Sequence, residues 1–154
     1  MRGRLASRKR QRGAVMVEAV IVSPLLLFLI LATAEITNAF VQHTVLTKAV
    51  RASARHVAGN AILGTTGVVQ LTPTLLTEAQ NLVVYGNATG AGVAKLSGLT
   101  PGDVIVQDLG NNTIQVTATY DYNGIFGGTL LSFGLGDDVS LDRALSATVT
   151  MRAL

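Results

Sequence analysis

The sequence predicts an α+β protein in which a long N-terminal transmembrane helix continues into a stalk and packs, with one short helix, against a small antiparallel sheet. Three observations predict it. An apolar run of membrane length lies near the N-terminus, from Ala14 to Ala34. Beyond it, apolar residues keep a helical repeat to about Ala58. In the C-terminal half, residues 113–122 and 145–152 alternate between apolar and polar, the period of a half-buried strand.

The first thirteen residues stand apart. The chain of 154 residues has a formal charge of +3, yet six of its twelve basic residues (Arg2, Arg4, Arg8, Lys9, Arg10 and Arg12) precede Gly13. The remainder holds six basic and nine acidic groups, a net of −3. Nucleic-acid recognition requires positive charge spread over a folded face. Here the charge sits in a short tail that reads as disordered, so no nucleic-acid partner is expected and residues 1–13 read as a basic targeting leader. The absence of cysteine excludes a disulfide framework and thiolate metal chemistry. Only 14% of residues are charged, which points to a membrane-associated chain.

The apolar run comes next. Ala14 to Ala34 is 21 residues with one charge, Glu18, and about 20 such residues cross a ~30 Å hydrocarbon layer as a helix. Six basic residues precede the span, whereas Lys48, Arg51 and Arg55 follow it within about twenty residues. This bias keeps the N-terminus cytoplasmic and places the C-terminal domain outside. An alternative is open: the basic flank, the apolar core 19–31 and Ala32-Thr33-Ala34 also resemble a secretory signal peptide cut before Glu35, which would release a soluble secreted binding domain. Against it, the helical pattern continues through Glu35 to Phe40, and a carboxylate inside the run is out of place in a segment made to be discarded. A third reading is an uncleaved single-pass anchor.

Glu18 is the most informative residue of the span. A carboxylate costs on the order of 2–3 kcal/mol towards the bilayer centre and less near its edge, so such residues are rare and suggest a partner. The bland reading is a side chain that reaches back to the cytoplasmic interface. Pro24 removes one helical hydrogen bond and crowds the preceding turn, so a kink near Val20 is expected.

The segment Arg12-Gly13-Ala14-Val15-Met16-Val17-Glu18 resembles the prepilin-peptidase site of type IV pilin-like proteins. The resemblance implies cleavage between Gly13 and Ala14, with Ala14 as the new N-terminus and prepilin peptidase as a partner. The freed α-amino cation would then pair with Glu18 of a neighbouring subunit, an assembly charge. Further features narrow the likeness: Gly13, Glu18, Pro24, Leu25-Leu26-Leu27, Glu35, and Ala49-Val50-Arg51-Ala52-Ser53-Ala54-Arg55. Over residues 12–55 the chain looks like the TadE-like family of Tad-pilus minor pilins, and the ending Ala147–Arg152 is similar too. It departs at Ala19, where an aromatic residue is usual, at Asn38 in place of arginine, and at Ser53 in place of glycine.

What the resemblance implies is a minor pilin or pseudopilin in a Tad-type pilus or secretion apparatus, held in the bacterial inner membrane and possessing no cofactor. Its implied partners are other pilin or pseudopilin subunits, the inner-membrane pilus assembly machinery and the lipid bilayer. Glu35, Arg51 and Arg55 are candidate subunit contacts.

Past the span, Leu46, Ala49, Val50, Ser53, Ala54 and Val57 share one helical face, while Lys48, Arg51 and Arg55 share another. Residues 14–58 as one helix span ~67 Å at 1.5 Å per residue. The basic stripe reads first as a solvated face. Residues 59–154 form the extracytoplasmic α+β domain. Gly59 to Leu71 is a connector; Thr72 and Pro73 then open a second helix with Leu75, Leu76, Ala79, Leu82 and Val83 inward and Gly86 as its stop.

Gly86 to Gly98 reads as a loop, and Thr100-Pro101-Gly102-Asp103 has the order of a type II turn. Strands are expected at Val104–Asp108 and Thr113–Tyr122, joined through Leu109-Gly110-Asn111-Asn112, and at 145–152. Between the last two lies a glycine-rich loop, Asn123 to Gly136, whose apolar residues suit either an exposed docking patch or ordinary core.

The remaining residues carry no pattern expected of a catalytic or metal site. His43 and His56 stand thirteen apart with no carboxylate at ligand spacing and read as helix-surface residues. Asp137, Asp138 and Asp142 lack a calcium-loop pattern and read as solvated loop charges. Neither a phosphate-binding glycine loop nor a nucleophile elbow occurs, so an enzyme is not expected.

Overall fold

The computed structural model describes residues 3–62, 67–130, 132 and 136–154, with side chains excluded for residues 3–14 and Leu130. The fold is α+β. Its elements are α1 (Gly3–Asn60), α2 (Pro73–Val84), a 3-10 turn (Pro101–Asp103), β1 (Val104–Gly110), β2 (Thr113–Asp121), β3 (Thr129–Leu130), β4 (Val139–Ser140) and β5 (Ala144–Arg152). They fall into two units: Met1–Thr37 with Gly124–Leu141, and Asn38–Asn123 with Asp142–Leu154.

In the first unit the helix begins at Gly3, not at Ala14, so the backbone is helical where the sequence reads a disordered tail. Arginine, lysine, glutamine, leucine and alanine are good helix formers, and elongating an existing helix avoids the cost of a new nucleus. From Val15 to Ile30 the apolar side chains are exposed nearly all round. Pro24 lies inside the helix, and the Ser23 hydroxyl donates to the Val20 carbonyl at 3.4 Å. Val20 is the residue whose carbonyl loses its backbone donor at a proline four positions on, and a serine hydroxyl is one of the groups that re-satisfies it.

The same unit contains an antiparallel two-stranded ribbon. Thr129 pairs with Ser140 and Leu130 with Val139, so part of the expected loop is strand. Its inner turn is tied by Ser132, whose N–H donates to Asp138 Oδ1 at 2.8 Å and whose hydroxyl donates to the Gly136 carbonyl at 2.6 Å. Asp138 is thus bonded within the loop, beyond the solvated role expected of it. Of the apolar loop residues, Leu131, Phe133 and Leu135 lie outside the described residues.

The second unit holds the core. The three-stranded sheet has the order β1-β2-β5, with β2 antiparallel to both neighbours. Its alternation is as expected: Ile114, Val116, Ala118 and Tyr120 are buried, and Ala147 lies across from Ala118. Tyr122 is only half-buried and follows the end of the strand. The β1–β2 hairpin turns through Asn111 (φ 51°) and Asn112 (φ 57°), both left-handed, the geometry of a type I′ turn whose twist matches that of paired strands.

Along α1, Leu46, Ala49, Val50, Ser53, Ala54 and Val57 are all buried, as their helical spacing requires. Leu46, Ala49, Val50 and Ala54 pack with Val83, Val84, Val104, Val116, Ala118 and Tyr120. Val57, Ala58 and Ala61 pack with Leu75, Ala79 and Ile114 in a second cluster. Thr72 caps α2 by accepting from the Leu75 N–H at 3.3 Å. Leu76 and Leu82 are half-buried, and Val84 takes a fully buried place instead.

The Thr100–Asp103 segment forms a 3-10 turn, not a type II turn. Asp103 Oδ2 accepts from both the Thr100 N–H and its hydroxyl at 2.8 Å, and this reciprocal capping favours the tighter helical turn.

Candidate membrane and assembly site

The helix positions the sequence-predicted residues at different heights. Gly13 and Ala14 are helical, and their side chains lie outside the described residues, as does the geometry of a cleavage site there. Glu18 is exposed on a turn otherwise made of exposed Val15, Met16, Val17, Val20 and Ile21. Among the described residues it has no hydrogen-bond or ion-pair partner. A carboxylate among exposed apolar neighbours is a site at which a cation has much to offer, and among the described residues no group competes for it.

Glu35 behaves in the opposite way. It is 2% exposed, and its two carboxylate oxygens accept from the Ile125 backbone N–H at 3.1 and 3.2 Å. A buried carboxylate is tolerable only when hydrogen-bonded. The sequence marked Glu35 as a candidate subunit contact; the structure adds an engagement within its own unit. The partner is a main-chain group 90 positions away, and no residue-type pattern signals such a donor.

The stalk residues Lys48, Arg51 and Arg55 are exposed, and among the described residues none forms an ion pair. Neighbouring polar residues are engaged: Asn38 Nδ2 donates to the Tyr122 hydroxyl at 3.1 Å, and Gln42 Nε2 to the Asn123 carbonyl at 3.1 Å. His56 Nε2 sits 2.8 Å from Glu78 Oε2, joining α1 to α2 by a contact that sequence spacing does not show. His43 is exposed. Among the described residues no group of three or more histidine, aspartate or glutamate side chains is placed to hold a metal.

Among the described residues the Tyr120 hydroxyl is clearly perturbed. Burial pushes the Tyr120 hydroxyl above its ordinary value of 10.0, with a backbone hydrogen bond at Asn123 partly opposing the shift. Its hydroxyl donates to the Ser97 carbonyl at 3.2 Å, tying β2 to the preceding loop.

Fold and helix together define a class: a small α+β domain whose N-terminal helix is long and apolar enough to cross a membrane. Residues 13–55 match the model of the family described as TadE-like protein, a match that points to a Tad-pilus-related protein. No curated protein and no solved structure matches the chain.

Proposed function

We propose that the protein is a minor pilin or pseudopilin, a non-enzymatic structural subunit of a Tad-type pilus or secretion apparatus. Its residues 14–34 lie in the bacterial inner membrane, with the N-terminus cytoplasmic and the α+β domain outside. Prepilin peptidase removes residues 1–13, and the subunit then joins other pilin or pseudopilin subunits through the inner-membrane assembly machinery.

The observation that supports this reading is Glu18, exposed beside apolar Val15, Met16, Val17, Val20 and Ile21 and without a partner among the described residues. Cleavage after Gly13 creates an α-amino cation four residues earlier, about 6 Å along the helix axis at 1.5 Å per residue. Pairing that cation on one subunit with Glu18 on the next offsets the desolvation of both, and removing either leaves a penalised lone charge. Subunit register then depends on one carboxylate. The match over residues 13–55 supports the same reading, since it spans the cleavage junction, the apolar run and the stalk.

The test is the N-terminal residue of the protein recovered from membranes, with and without prepilin peptidase in the cell. Ala14 is expected when the peptidase is present and Met1 when it is absent. Glu35 at the N-terminus would instead establish release by signal peptidase after Ala34, and Met1 in both cases an uncleaved anchor.

A further inference from the structure

Between Glu18 and Lys48 the helix α1 holds one charged residue, Glu35, and residues 124–136 hold none. The two stretches meet within one unit, where the Glu35 carboxylate accepts the Ile125 N–H. Residues 15–34 as a helix are about 30 Å long at 1.5 Å per residue, the thickness of the hydrocarbon layer. Glu35 therefore stands at the outer edge of whatever bilayer that helix crosses. Ile125, bonded to it, stands at the same height.

Ile125 and the adjacent Phe126 are 57% and 44% exposed. At that height two apolar side chains in an uncharged loop face lipid more favourably than water. The backbone is suited to the place as well: an amide at the hydrocarbon edge needs an internal acceptor, and Glu35 supplies one to Ile125.

We propose that Ile125 and Phe126 form a second membrane contact, resting on the outer lipid surface and tethered there by Glu35. The inference rests on the membrane-spanning reading of residues 14–34. The occupant is lipid, not a second copy of the chain, because the loop has no charge with which to select a protein partner and its height follows from the span itself. Such a contact limits rotation of the loop about the helix axis while the subunit waits in the bilayer, and it must be given up when the subunit leaves lipid.

The chain has no cysteine, so single-site labelling is clean. The full chain, with an environment-sensitive dye at Val22→Cys, Leu109→Cys or Phe126→Cys, is placed in vesicles of phosphatidylethanolamine and phosphatidylglycerol. Quenching is read with aqueous iodide and with nitroxide lipids labelled at headgroup level or deep in the acyl chain. Position 22 should be quenched by the deep label. Position 126 should be quenched by the headgroup label and be at least about threefold less accessible to iodide than position 109, as for side chains ~5–10 Å into the headgroup boundary.

If 22 is deep but 126 is as open to iodide as 109, the inference is overturned and the span stands. Shielding at 126 without lipid quenching means a protein contact, which also overturns it. Failure at 22 removes the span and the inference together. In Glu35→Ala, with 22 still deep, 126 should regain iodide access; unchanged shielding would refute the tether.

Discussion

The Ser53 hydroxyl donates a 2.8 Å hydrogen bond to the Ala79 carbonyl oxygen, and both residues are completely buried. This bond crosses from α1 to α2 among fully buried neighbours that include Val50, Ala54, Val57 and Val83. Ser53→Ala should lower stability by about 1 kcal/mol, the net worth of a buried neutral hydrogen bond. Ser53→Leu should cost about 1–3 kcal/mol through overpacking. Thermal unfolding of the full chain in detergent, followed by circular dichroism, checks both; a leucine variant as stable as alanine would show that the seam is loose.

Tyr120 provides the pH dependence. Its folded-state value lies above 10.0, and its unfolded value is the ordinary one. Below pH 10 both states hold the proton and the contribution is intact. Above it the unfolded chain ionises first, so stability falls as pH rises towards the raised folded value. Tyr120→Phe should flatten this alkaline loss while costing about 1 kcal/mol at neutral pH for the bond to Ser97. Unfolding midpoints between pH 8 and 11 separate the two effects.

The His56–Glu78 pair should matter little. Their side chains are 31% and 36% exposed, and exposed pairs are worth about 0–1 kcal/mol. Glu78→Gln is expected to shift stability by less than about 1 kcal/mol, with most of the change screened by salt. A larger loss at high salt would mean that the pair also holds the helices by packing.

Gly86 ends α2 with φ +82°, and its N–H donates to the carbonyls of Asn81 and Leu82 at 3.2 and 3.1 Å. Gly86→Ala should cost about 1 kcal/mol, because an L side chain is disfavoured in that left-handed position. A Cβ there would also displace the Lys95 side chain. Thr72→Ala at the other end should cost about 0.5–2 kcal/mol as a lost N-cap. Chemical denaturation of the two variants tests whether the loss is shared or lies at one terminus.

For assembly, Glu18→Ala should leave membrane insertion and processing unchanged and abolish incorporation into filaments. Membrane fractionation reads the first and sheared-pilus yield the second. Normal incorporation of the alanine variant would end the charge-pairing account.

The elements that follow from one residue's relation to its near neighbours were readable in the sequence. The stripe from Leu46 to Val57, the cap at Thr72 and the alternation from Ile114 to Tyr120 each rest on a local period, and each is found where that period puts it. The turn at Thr100 went differently because Asp103 returns its carboxylate to the cap, a bond that outweighs the preference implied by Pro101-Gly102. The charged residues were legible as to place, less so as to partner. Glu18 was marked by the price of charge in lipid, whereas the Glu35–Ile125 and His56–Glu78 contacts join segments 90 and 22 residues apart through groups that carry no pattern of their own.

Within the second unit, β5 is synthesised after every other element, yet it supplies one whole side of the central strand, from Thr113 opposite Arg152 to Asp121 opposite Ala144. A nascent chain lacking those residues leaves β2 with an open edge, and Ala118 and Val116 with no neighbour on that side. The sheet of this unit is therefore completed only by residues 144–152. A chain stopped before Ala144 should leave this unit unfinished, the kind of species that quality-control proteases remove.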